Sequence, residues 1–112
     1  FLRYTNFIEV GVPLFSKYAL TKFMKVYDPI LIGYGIDYWY IWVLGINKKN
    51  KYAICDEISC INPFSKSRSI NKLQSLNRRI KEWNKIKEKN NIIQNPKKCH
   101  SLLKIDKLIN KK

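Results

Sequence analysis

Two periods of hydrophobic residues alternate along this chain, and the switches between them mark its elements. Thr5–Val10 reads as a short strand, closed by Gly11-Val12-Pro13. Ala19, Leu20, Phe23, Met24 and Tyr27 then recur at helical spacing, with Lys17, Lys22 and Lys25 on the opposite side. Ser16 is placed to cap that helix, and Asp28-Pro29 to stop it, because the residue before a proline is pushed out of the α region. Tyr38–Leu44 is apolar around its whole circumference, which predicts a short helix buried on all sides and ended by Gly45. Tyr52–Ile61 reads as a second strand, interrupted by Asp56-Glu57, and in an unbroken strand Asp56 and Asn62 share a face with Ile54, Ile58 and Cys60. Beyond the Asn62-Pro63 break, Ile70, Leu73, Leu76, Ile80, Trp83 and Ile86 draw one stripe along a helix from Ile70 to about Lys89, with Ser69 as its cap. A last amphipathic helix is expected at about Ser101–Ile109.

The order strand, helix, helix, strand, helix, helix predicts an α/β or α+β domain. Two strands do not make a stable sheet alone, and the chain opens on Phe1 already running into a strand. Both features predict the C-terminal part of a longer domain. The longest apolar run, Tyr38–Ile46 with Gly45 counted, is far short of the roughly 20 residues of a membrane span, so the chain reads as soluble; its odd cysteine count fits a reducing compartment, and the location expected is the cytoplasm, with attachment to a membrane periphery as the other reading.

Charge divides the chain. Residues 1–64 hold 7 Lys/Arg against 5 Asp/Glu, and residues 65–112 hold 15 against 3. A basic tail of this kind can meet RNA, an anionic membrane or an anionic polysaccharide through residues 66–112. Against nucleic acid stands the preference of such interfaces for Arg, since 18 of the 22 basic residues are Lys; A/T-rich coding also gives this composition with no selection for anions. Three cysteines, Cys55, Cys60 and Cys99, argue against a disulfide framework, so no disulfide partner is expected. With His100 they lack the spacing of a structural zinc motif.

The chemistry concentrates at Gly33-Tyr34-Gly35-Ile36-Asp37. Two glycines one residue apart remove side-chain bulk, so backbone can approach a ligand or take conformations closed to other residues. Asp37 stands next, before the apolar helix, either as its N-cap or as a working carboxylate at the edge of a cleft. Tyr34, Tyr38 and Trp39 offer faces for a sugar ring, although aromatic residues at this density more often build core. Glu9 reads as structural, and Asp56 is the more interesting of the Asp56-Glu57 pair because its parity is apolar.

Taken in order, Phe7-Ile8-Glu9, Pro13-Leu14-Phe15-Ser16, Ala19, Gly33-Tyr34-Gly35-Ile36-Asp37 and Ala53-Ile54-Cys55-Asp56 resemble the C-terminal half of the domain of unknown function family 707. The resemblance runs over about residues 4–90, because the helix with Arg78, Arg79, Glu82 and Trp83 also resembles one in that family. The family's pattern is similar to nucleotide-sugar-using glycosyltransferases of the GT-A type. The resemblance therefore implies residues 1–64 as the C-terminal part of a glycosyltransferase-like domain, and 65–112 as a basic helical extension packing on it. It implies a nucleotide-sugar donor and a hydroxyl-bearing acceptor, with Asp37 as candidate base and Gly33, Tyr34, Gly35, Tyr38 and Asp56 as candidate substrate-binding residues. A divalent ion, Mn²⁺ or Mg²⁺, is implied by resemblance only. Asn62 stands where the family's pattern has a His, a poorer ligand, and no Asp-x-Asp occurs in the chain, so no metal ligand is assigned and this stretch by itself is expected to be inactive.

Overall fold

The computed structural model describes residues 2–46, 48–61 and 69–92, together with the backbone of a strand at Lys104–Asp106. The elements follow in the order β1 (Leu2–Thr5), α1 (Lys17–Met24), α2 (Ile36–Leu44), β2 (Tyr52–Cys55), α3 (Ile70–Leu73), α4 (Leu76–Lys89) and β3 (Lys104–Asp106). The sheet has the order β2-β1-β3. Both pairings are antiparallel, Leu2 facing Cys55 and Thr5 facing Tyr52 on one edge, Leu2 facing Asp106 and Tyr4 facing Lys104 on the other. Helices gathered with an antiparallel sheet make the chain α+β, which resolves the choice between α/β and α+β.

The core is built around α2. Trp39, Tyr40 and Ile41 are buried, and every other residue of the helix is at least half-buried, as a helix without a polar face requires. Around it pack Phe7, Phe23, Leu31, Tyr52, Trp83, Ile86 and Ile92. Phe23 of α1 sets its ring edge-on to Trp39 at 5.7 Å and to Tyr40 at 5.9 Å, and Phe15 meets Tyr40 edge-on at 5.2 Å. These tilted and T-shaped pairs follow the ring quadrupoles. α1 buries only Phe23; Leu20 and Met24 on the same stripe stay largely exposed.

Four elements depart from the sequence pattern, each for a local reason. The first strand is Leu2–Thr5 and not Thr5–Val10. The Thr5 hydroxyl accepts from the Phe7 N–H and donates to the Phe7 carbonyl, both at 3.3 Å, and this local bonding turns the chain out of the ladder. The second strand ends at Cys55, where Asp56-Glu57 forms a turn and leaves Ile58 and Ile61 exposed. The expected helix from Ile70 to Lys89 is two helices, because Gln74 is extended and Ser75 starts a new one, its hydroxyl accepting from the Arg78 N–H at 3.3 Å. Within the expected last helix, Lys104–Asp106 is a strand on the second edge of β1; an open edge offers backbone partners that a short helical pattern does not outweigh. The rest of that segment, with Asn62, Cys99 and His100, lies outside the described residues.

Ser16 caps α1 as expected, accepting from the Ala19 N–H at 3.2 Å. α1 ends at Met24, before Asp28-Pro29, and the Asp28 carboxylate instead accepts from the Ile30 N–H at 3.0 Å in the turn that follows.

Candidate functional site

The glycine turn leads directly into α2, and its conformation requires glycine. Gly33 and Gly35 have φ of +73° and +83°, the left-handed region that costs other residues. Their bare sides face protein. A β-carbon on Gly35 would stand 2.5 Å from Cδ2 of the Trp83 indole, and one on Gly33 would stand 2.7 Å from Cδ1 of Ile70. The close approach that two glycines permit is therefore used by α3 and α4, which seat Ile70 and Trp83 against the turn.

Gly35 is the N-cap of α2, with no side-chain cap, so Asp37 is not the cap expected of it. It sits in the first turn, half-buried, and its Oδ1 accepts from the Tyr38 N–H at 2.9 Å. A carboxylate there lies at the positive end of the helix, a favourable place for negative charge. Tyr38 is half-buried with its ring 5.2 Å from Phe7, whereas Tyr34 is exposed at the outside of the turn. Gly33, Tyr34, Gly35, Asp37 and Tyr38 thus form one corner of the molecule. Asp56 belongs to the sheet. It is exposed rather than on an apolar face, and it accepts from Arg3 Nε, the residue opposite Ile54 in the ladder. That bond holds the Asp56 carboxyl below its ordinary pKa and the Arg3 guanidinium above its own.

Two tyrosines tie the distant segments to α2. The Tyr40 hydroxyl donates to the Ile8 carbonyl, and the Tyr52 hydroxyl donates to the Gly45 carbonyl at 2.7 Å. Burial pushes the Tyr52 phenol up to about 12. Burial first, then the charges of Asp37 and Glu9, raises Tyr40 further still. Glu9, read as structural, therefore lies within electrostatic reach of the same hydroxyl as Asp37. Beside these tyrosines opens a cleft of about 160 Å³ whose wall includes Ile8, Phe15, Ser16, Ala19, Leu44 and Lys51.

α4 contributes residues that the hydrophobic stripe missed. Arg79, Glu82, Trp83 and Ile86 are its buried positions. Reading Leu76, Arg79, Trp83 and Ile86 as a 3-4-3 series would have put Arg79 on the inner face; the series through Ile80 hid it. Outward, Arg78, Lys81, Lys85 and Lys89 share one exposed flank, with Lys85 bonded to Glu82 at 3.2 Å.

Among the described residues no three of His, Cys, Asp and Glu gather into a group that could hold a metal ion, and none of the helices is long and apolar enough to cross a membrane. Among the described residues the donor set does not fit the Mn²⁺ or Mg²⁺ that the resemblance implies. No protein-family model, no curated protein and no solved structure matches the chain.

Proposed function

We propose that this chain is the acceptor-side part of a glycosyltransferase-like domain, which moves a sugar from a nucleotide-sugar donor to a hydroxyl acceptor with Asp37 as the base. One observation supports the reading most: the segments that carry the family resemblance, separated along the chain, converge on α2. Phe7 and Ile8 meet Tyr38 and Tyr40, Phe15 meets Tyr40, and Tyr52 of β2, next to Ala53, reaches the carbonyl of Gly45. Ile70 and Trp83 account for the glycines, and the helix amino end with the Tyr38 N–H accommodates the Asp37 carboxylate.

In this reading Asp37 accepts the proton of the acceptor hydroxyl as its oxygen bonds to the anomeric carbon of the donor. The bond from that carbon to the diphosphate breaks, and its electron pair leaves with the nucleoside diphosphate. A base must stand within hydrogen-bond reach of the proton it takes, and Asp37, half-buried, keeps part of its surface open to a hydroxyl.

The test is D37N in the full-length protein, scored by nucleoside diphosphate release over a panel of nucleotide sugars and hydroxyl acceptors. Loss of a general base lowers turnover by about 10²–10⁴-fold. D37N turnover within a factor of about 3 of wild type removes Asp37 from the chemistry.

A further inference from the structure

Arg79 is 7% exposed, yet no carboxylate among the described residues pairs with it. Its Nη2 donates to Oδ1 of Asn71 at 2.6 Å, and its Nε is buried with no partner. A buried charge left unpaired is costly, and a neutral amide oxygen offsets little of that cost. Burial of this kind without a counter-charge is the mark of a site prepared for one.

The surroundings give the site its place and its opening. Arg79 is one helical turn before Trp83, which packs on Gly35, and its partner Asn71 is next to Ile70, which packs on Gly33. The two helices that hold the guanidinium, α3 through Asn71 and α4 itself, are thus the two that pack on the glycine turn. Arg79 is also within the first turns of α4, a helix of 14 residues whose amino end favours anions. Asn71 belongs to α3, a single turn of four residues with none of them buried, so this cover moves at little cost. Nε and Nη2 form one edge of the guanidinium fork, and that edge matches two oxygens of a phosphoryl group bidentately.

We propose that Arg79 anchors an oxyanion site between α3 and α4, which takes a phosphoryl group in place of Asn71. The identity of that anion as the diphosphate of the donor rests on the glycosyltransferase reading; the anion site itself does not.

The experiment is titration calorimetry and thermal melting with inorganic pyrophosphate, then with a nucleoside diphosphate, on wild type, R79M, R79K, D37N and K81A/K85A. Pyrophosphate is expected to raise the melting temperature of wild type, D37N and K81A/K85A alike. R79M is expected to bind it at least tenfold more weakly, with R79K between the two. Without ligand, R79M is expected to melt at or above the wild-type temperature, because it removes an unpaired buried charge. Tighter binding of the nucleoside diphosphate than of pyrophosphate points to the donor as the source, and equal binding leaves an anion site without a nucleoside pocket. Equal pyrophosphate binding by R79M and wild type overturns the proposal. So does a wild type blind to both ligands, or an R79M that melts well below wild type while R79K does not bind; Arg79 is then a structural residue. Because D37N keeps the anion and loses only the base, failure of the anchor and failure of the base appear in different assays.

Discussion

The glycine at position 35 is explained by one ring. At φ +83°, with the Trp83 indole where a β-carbon would go, alanine meets two penalties at once. The left-handed conformation costs about 1–2 kcal/mol and the overpacking about 1–3 kcal/mol, so G35A should lose about 2–5 kcal/mol in urea denaturation. G33A should lose less, since its obstacle is the terminal methyl of Ile70, the far end of a flexible side chain. The glycine pair was legible in the sequence as a place of close approach. What approaches was not, because Trp83 is nearly fifty positions away and belongs to a helix whose stripe also admitted other readings. Tyr52 gives a second prediction at this scale. Its folded pKa of about 12 lies above the ordinary 10.0, so the folded chain keeps a proton that the unfolded chain has lost. The stability this represents is complete below pH 10 and falls as pH rises from 10 to 12, by at most about 1.4 kcal/mol per pH unit for the one group. Urea midpoints across that range, with phenolate absorbance followed alongside, should decline less steeply in Y52F.

Among the elements, caps were readable only in part: Gly45 ends α2 as expected, but Gly35 and not Asp37 stands at its amino end, and Ser69 makes no side-chain cap bond at α3. Ser16 caps α1 as its position before a helical pattern suggests, and Ser75 does the same for α4 without having stood out. The stripe from Ile70 to Ile86 ran unbroken through Gln74 and Ser75, so periodicity alone concealed the restart. Removing the cap should show which of the two readings the chain follows. S75A leaves the first turn of α4 short of an acceptor and should cost about 1 kcal/mol by urea denaturation, whereas a continuous helix would favour alanine at that position. β1 was misplaced by a few residues because Thr5–Val10 has the composition of a strand, while the Thr5 hydroxyl spends the Phe7 backbone groups on a turn. Asp56 shows the same limit. Its parity in a long strand pointed inward, but the strand stops one residue earlier and the carboxylate turns to Arg3.

For the whole molecule, the sequence made the mixed helix and strand class readable, and the burial of α2 with it, since seven apolar residues in succession leave no face for water. It could not supply the antiparallel sheet, because Lys104–Asp106 joins β1 from the far end of a chain whose pattern there is helical. Nor could it show the buried guanidinium of Arg79 held by Asn71; that needs the packing of α3 and α4. The molecule that results keeps its basic residues Arg78, Lys81, Lys85 and Lys89 outward and holds Arg79 inward, with Asp37 across the turn at the start of α2. We propose a turn that is structural beside a carboxylate that is chemical. This proposal is tested most directly by measuring the stability and turnover of D37N on one sample. Asparagine keeps an oxygen for the Tyr38 N–H, and loss of the charge at the helix amino end costs about 0.3–1 kcal/mol. The account predicts a urea midpoint shifted by no more than that, with nucleoside diphosphate release cut about a hundredfold or more. A D37N that loses well over 1 kcal/mol and keeps its turnover per folded molecule would contradict it, and would make Asp37 one more piece of the helix.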